Sequence, residues 1–314
     1  MVDHSQVQIL EIGDKSDGQR LDNFLFRELK GLPKSRVYRL IRKGEVRINR
    51  KRSKPDSRLV SGDKVRIPPL RLTSRAQPPK PSPGLSSYLL DSVLFENEQF
   101  VVLNKPAGLP VHGGSGVHLG LIEALRQLKP QWSQLELAHR LDRDTSGCMV
   151  FAKTPLFLRD FHLQLKQKTV NKTYIALVHG YWPDSLVLVD APLLKNHLQS
   201  GERMVKFDPS GKPSETRFEV IEHLGVEATL IKALPITGRT HQIRVHCQIQ
   251  GHAILGDDKY ASQAQAKSHP AATRLCLHAE KIEFQAPDGG GLMLFEAPLS
   301  DYLAGQLNLL RSKQ

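Results

Sequence analysis

A chain of 314 residues, 39% hydrophobic and 24% charged, holds material for two or three domains and a sizeable core, which excludes a disordered or low-complexity polypeptide. The formal net charge is +12, and residues 1–75 carry +10 of it, with 19 Lys and Arg against 9 Asp and Glu. So one-sided an excess predicts a polyanionic partner, nucleic acid before an anionic membrane, since no amphipathic anchor helix is visible. Cys148, Cys247 and Cys276 are widely spaced and odd in number, which argues against a disulfide framework and against zinc. Neither a signal-peptide pattern nor an apolar run of bilayer length is present, so the expectation is a cytoplasmic protein.

The first module spans residues 18–75. Leu21, Phe24, Leu25 and Leu29 recur at helical spacing, and Pro33 follows. A second helix is predicted over 35–43, ending at Gly44, with Val37, Leu40 and Ile41 on its apolar side. Arg36, Arg39 and Lys43 share another face, and Arg50 and Arg52 fall in a basic turn after a short strand at 46–48. Gly62-Asp63 and the alternating strand 64–67 close the module. Two helices followed by a small hairpin resemble an S4 RNA-binding domain. The basic helix face and turn can track phosphates, but carry little chemistry for reading bases.

Residues 76–90 are rich in Pro and Ser, and are predicted to form an extended linker that leaves the first module tethered. The second module, 91–314, opens with strand-like runs at 93–96 and 100–104. A glycine-rich loop follows at 112–116. It lacks the Gly-Lys-Ser/Thr ending of a P-loop, so nucleoside triphosphate binding is not inferred. Helices are predicted near 121–128, 156–166, 245–250 and 299–310. Strands are predicted at 149–152, 172–178, 216–222, 226–234, 281–285 and 292–296. Without regular βαβ alternation, this reads as an α+β domain with a mixed, mostly antiparallel sheet flanked by helices.

Between these elements lies His139-Arg140-Leu141-Asp142-Arg143-Asp144-Thr145-Ser146-Gly147. Its apolar lead-in, 135–138, reads as a strand running into a tight turn at 144–147. A carboxylate at such a strand end, flanked by guanidiniums, is kept ionised and suits nucleophilic attack on a sugar carbon. On these nine residues alone, a salt-bridged strand end is an equal alternative.

The nine residues resemble the signature of the RluA family of pseudouridine synthases, in which the aspartate of H-R-L-D is the nucleophile. Three further stretches resemble family motifs in the same order. They are Lys105-Pro106-Ala107-Gly108 with Val111-His112, then Lys172-Thr173-Tyr174, then 238–246, Gly-Arg-Thr-His-Gln-Ile-Arg-Val-His. The resemblance implies an RNA isomerase with a long mixed sheet and a cleft across its middle. It would act as a monomer on specific uridines of large-subunit ribosomal RNA, without metal or other cofactor. Asp142 would be the nucleophile, Tyr174 the stacking partner or proton acceptor for the flipped base, and Arg244 the ion-pair partner of Asp142. Ile243 and His112 would line the substrate pocket, and Arg140 would fill the gap left by the flipped uridine.

Isomerisation of uridine breaks the N1–C1′ bond, turns the base and rejoins it through C5. It needs a nucleophile, a proton acceptor and a closed pocket. Glycoside hydrolysis is disfavoured, because it uses two cooperating carboxylates and Asp144 stands too close to Asp142. His241 and His246, five apart, fit no ligand spacing, and His139 and His278 read as structural histidines. Other readings are the same chemistry on transfer RNA, and a non-catalytic RNA-binding assembly factor.

Overall fold

The computed structural model describes residues 6–29, 32–70, 79–113, 119–197, 203–287 and 289–314. The chain divides into two compact units, Met1–Gln77 and Pro78–Gln314.

In the first unit, β1 (Gln8–Glu11) precedes α1 (Leu21–Glu28) and α2 (Lys34–Lys43), then β2 (Arg47–Ile48), β3 (Lys51–Arg52) and β4 (Lys64–Ile67). α2 ends where the sequence says it must, at Gly44, which takes φ +71 and donates back to Ile41. The strands form one sheet in the order β1-β4-β2-β3. Its inward residues Val65 and Ile67 pack with Leu21, Leu25, Val37, Leu40 and Ile41 of the helices. The sequence pattern missed β1, which pairs with all of β4.

The second unit begins with a correction. Residues 83–90, expected to be extended linker, belong to α3 (Pro83–Asp91). Proline at the first helical position is preset for helix, and Ser82 accepts from the amide of Leu85 at 3.2 Å. Leu89 is fully buried beneath the helix. Composition pointed to a linker; capping chemistry decided otherwise.

There follow β5 (Val93–Glu96), β6 (Phe100–Lys105), α4 (Leu121–Leu125), β7 (Glu136–Leu137), β8 (Ser146–Ala152), α5 (Pro155–Gln167) and β9 (Asn171–His179). Next come β10 (Leu188–Asp190), β11 (Leu193–His197), β12 (Arg203–Phe207), β13 (Glu215–Leu224), β14 (Ala228–Pro235), α6 (Gln242–Ile249) and α7 (Gln263–Ser268). β15 (Leu277–Gln285), β16 (Leu292–Glu296) and α8 (Asp301–Arg311) complete the unit. The main sheet runs β10-β13-β14-β9-β15-β8-β6-β5, with β16 also on β15 and β7 also on β8. β15 and β8 pair in parallel, and the other pairs are antiparallel, so the fold is α+β around a mixed, mostly antiparallel sheet. Aliphatic clusters cover it around β9 and β14 and around β6 and α4. An aromatic cluster of Phe100, Phe157, Phe161 and Phe284 seats α5.

Candidate active site

Strands β8, β15 and β9 lie side by side at the middle of the sheet, and the loop entering β8 carries Asp142. β7 ends at Leu137, and the tight turn falls at 142–145, where the amide of Thr145 faces the carbonyl of Asp142 at 3.3 Å. This is two residues earlier than expected, because Ser146 and Gly147 already belong to β8, pairing with His278 and Ala279. Gly147 adopts φ +111, and a Cβ there would lie 2.2 Å from the carbonyl oxygen of Ala279. Only glycine permits that approach.

One half-buried and one fully buried side chain fix the loop. His139 accepts the amide of Val150 through Nε2 at 2.9 Å. Burial pushes its pKa down to about 3, so the ring is neutral and structural. Lys105, fully buried, donates to the carbonyls of Pro106, Arg143 and Thr145 at 2.8, 2.9 and 2.8 Å. Burial lowers its pKa to about 7, while three carbonyl acceptors match the three N–H bonds of an ammonium. The sequence singled out the motif at 105–108 but not this role.

Asp142 opens on a cavity of about 630 Å³, lined also by Arg140, Lys172, Tyr174, His241, Ile243 and Arg244. That volume suits a nucleotide-sized ligand. Tyr174 stands in β9 between Ala233 and Ala279 of the neighbouring strands. Burial, and then the charge of Asp142, raise its pKa, so the phenol keeps its proton. Ile243 is buried in the wall, and Arg140 is exposed at the mouth. Lys166, Lys168, Lys172 and Arg239 add positive charge to the same lining, a contribution the sequence reading missed.

Two expectations fail here. Arg244 does not pair with Asp142. Its Nε donates to Asp257 at 2.7 Å and its Nη2 bonds both Asp257 and Asp258, so it acts on Asp142 only through its charge. The side chain starts in the first turn of α6, three residues earlier than the predicted helix, and that placement turns it toward the segment after Gly256. Nor do the flanking guanidiniums pair with Asp142, because Arg143 closes on Asp144 at 2.9 Å. Among the described residues the basic side chain within 4.0 Å of the Asp142 carboxylate is His241, whose Nε2 lies 3.9 Å from Oδ1.

His112 does not reach the cavity. Val111 is buried, the amide of Gly113 donates to Glu123 at 3.0 Å, and His112 is left exposed on the outside of that turn. The rest of the glycine-rich loop, 114–116, lies outside the described residues. His246 is buried elsewhere, held by Thr216 at 2.9 Å and Ser214 at 3.2 Å. His278 bonds Ser146 at 2.9 Å.

In the first unit, Arg36, Arg39, Lys43, Arg50 and Arg52 are all exposed. None pairs with a carboxylate among the described residues. Asn49 and Arg50, at φ +48 and +67, make the hairpin turn between β2 and β3. Arg47 stands directly opposite Arg52 on one side and Arg66 on the other. Like charges so placed are mildly destabilising, and the three guanidiniums turn instead to the backbone carbonyls of Gly44, Lys43 and Glu45.

The RNA pseudouridylate synthase model matches residues 99–249, and the S4 domain model matches residues 19–65. Over 313 residues the chain is 50% identical to ribosomal large subunit pseudouridine synthase C of Salmonella typhi, with 98% of each covered. Its identity to the protein of that name in Haemophilus ducreyi is 51%, covering 99% of this chain and 98% of the relative. The solved structure of human RNA pseudouridylate synthase domain containing 4 superposes with a TM-score of 0.60 at 27% identity, covering 73% of this chain and 96% of that one. With half its residues shared along nearly its whole length, and an S4 domain in front, the chain belongs to the RNA pseudouridylate synthase family.

Proposed function

We propose that this chain isomerises specific uridines of large-subunit ribosomal RNA to pseudouridine, with Asp142 as the nucleophile and the target base flipped into the cavity. One observation carries the reading: Asp142, Tyr174 and Arg244 line a single nucleotide-sized cavity. The substrate follows from the relatives, which are named for the large ribosomal subunit and match end to end.

Asp142 attacks ribose C1′, or drives elimination of the base, from a loop immobilised by Lys105 and His139. Tyr174 stacks on the detached uracil. Its raised pKa supports stacking over proton acceptance, since a phenol that holds its proton is a poor base. Ile243 closes the apolar wall. Arg140, exposed at the rim, occupies the place the uridine leaves, a step that offsets part of the few kcal/mol of unstacking. The basic face of the first unit holds phosphates and selects a large folded RNA.

The test is Asp142→Asn, near isosteric and unable to form a sugar adduct. It should keep its melting temperature and RNA affinity and lose all pseudouridine formation in single-turnover assays on a ribosomal RNA transcript. Activity within about tenfold of wild type, ~1.4 kcal/mol in the barrier, would exclude Asp142 as nucleophile. Mapping pseudouridines in RNA from cells lacking the protein decides the substrate; losses confined to transfer RNA would overturn the ribosomal assignment.

A further inference from the structure

We infer that His241 is a positioning residue for Asp142, held by Tyr260 as the tautomer whose proton sits on Nε2. This rests on the reading of Asp142 as the reacting carboxylate.

The backbone supplies the first observation. His241 precedes α6 with φ +54 and ψ +20, a left-handed conformation uncommon for a residue with a side chain. In it the ring lines the cavity, and Nε2 faces Asp142 at 3.9 Å with the two side chains only 13% and 19% exposed.

The second observation fixes the proton. The hydroxyl of Tyr260 accepts from the amide of Val205 at 3.1 Å and lies 2.8 Å from Nδ1 of His241. A tyrosine hydroxyl has one proton to give, and among the described residues Nδ1 is the acceptor within its reach. That bond uses the lone pair of Nδ1, so a neutral ring carries its own proton on Nε2. Tyr260 is itself anchored, its amide donating to Asp257 at 3.1 Å and its ring 5.1 Å from the Arg244 guanidinium carbon. The strand β12, the Asp257–Tyr260 turn and α6 thus converge on one proton.

Burial favours the neutral ring, and the charged groups around it (Asp142, Arg244, Lys259 and Asp257) are two of each sign. A neutral N–H steers a carboxylate oxygen without cancelling its charge, leaving the other oxygen to approach the ribose. At 3.9 Å the contact is longer than a hydrogen bond, and contacts of this kind tighten in the substrate complex.

The experiment combines nitrogen NMR of histidine-labelled full-length protein with single-turnover kinetics on an RNA stem-loop. The wild type should show His241 protonated on Nε2, and Tyr260→Phe should mix its tautomers. That variant should lose turnover by up to about a hundredfold with little change in RNA affinity. His241→Gln, which restores an N–H near the position of Nε2, should retain more turnover than His241→Asn, whose amide stops short. A wild-type ring protonated on Nδ1 overturns the inference whatever the variants do, and so does a glutamine variant no better than asparagine. Full activity in Asp142→Asn would instead defeat the nucleophile reading, and the tautomer measurement would stand apart from it.

Discussion

Lys105 is the residue whose chemistry the sequence hides most completely. Its ammonium gathers the carbonyls of Pro106, Arg143 and Thr145, so one buried cation ties the end of β6 to two carbonyls of the Asp142 turn. Lys105→Met keeps the length and apolar stem but leaves three buried acceptors without donors, at about 1–3 kcal/mol for each that cannot relax. The variant should melt several degrees lower and isomerise slowly even where it is fully folded. A thermal melt with single-turnover assays below the transition checks this, and wild-type turnover in the folded variant would exclude the positioning role. The four motifs were legible at this scale, because side-chain chemistry written in order is what a family resemblance carries. The partners were not. Backbone carbonyls leave no mark in a sequence, and Gly256-Asp257-Asp258 reads as an ordinary turn until the fold brings Asp257 to Arg244.

Elements with a strong period were read almost to the residue. α5, β9, β13 and β16 lie within two residues of the expected bounds, and β16 matches at both ends, whereas β15 begins at Leu277, four residues before the strand expected at 281. The misses are elements whose formation depends on something other than period. β1 exists because β4 offers an edge, and α3 because Ser82 caps a proline-led turn. The parallel contact of β8 with β15 spans so few residues, 146–147 against 278–279, that no local pattern announces it. It is nevertheless the join on which the cavity depends. Gly147→Ala would place a methyl group 2.2 Å from the Ala279 carbonyl oxygen at φ +111. It should therefore destabilise the second unit by about 3 kcal/mol or more. Chemical denaturation measures this directly, and a loss below about 1 kcal/mol would show that the strands part without cost.

For the whole molecule, charge is the property that sequence conveys without help from the fold. Residues 1–75 carry +10 of the +12, and the five basic side chains singled out there stand exposed. Replacing Arg36, Arg39, Lys43, Arg50 and Arg52 by Gln should weaken binding to ribosomal RNA and flatten the dependence of log K on log salt. Each lost phosphate contact removes a slope of about 0.9 on duplex or 0.7 on single strands. Single-turnover chemistry on a short RNA should stay unchanged. Equal salt slopes for variant and wild type would reduce these charges to a solvated surface. What the sequence did not convey is the second basic lining, Lys166, Lys168, Lys172 and Arg239 around the cavity, since those residues converge only once α5, β9 and the loop before α6 are in place.

The pairing of Ser146 with His278, 132 residues apart, also sets an order in time. A chain emerging from the ribosome completes its basic amino-terminal unit early, and domains fold as they emerge. The cavity waits for Leu277 and the rest of β15. During its own synthesis the protein therefore acquires the capacity to hold RNA well before the capacity to change it. A chain ending short of β15 keeps the first capacity without the second, and would occupy target RNA as a competitor of the finished enzyme.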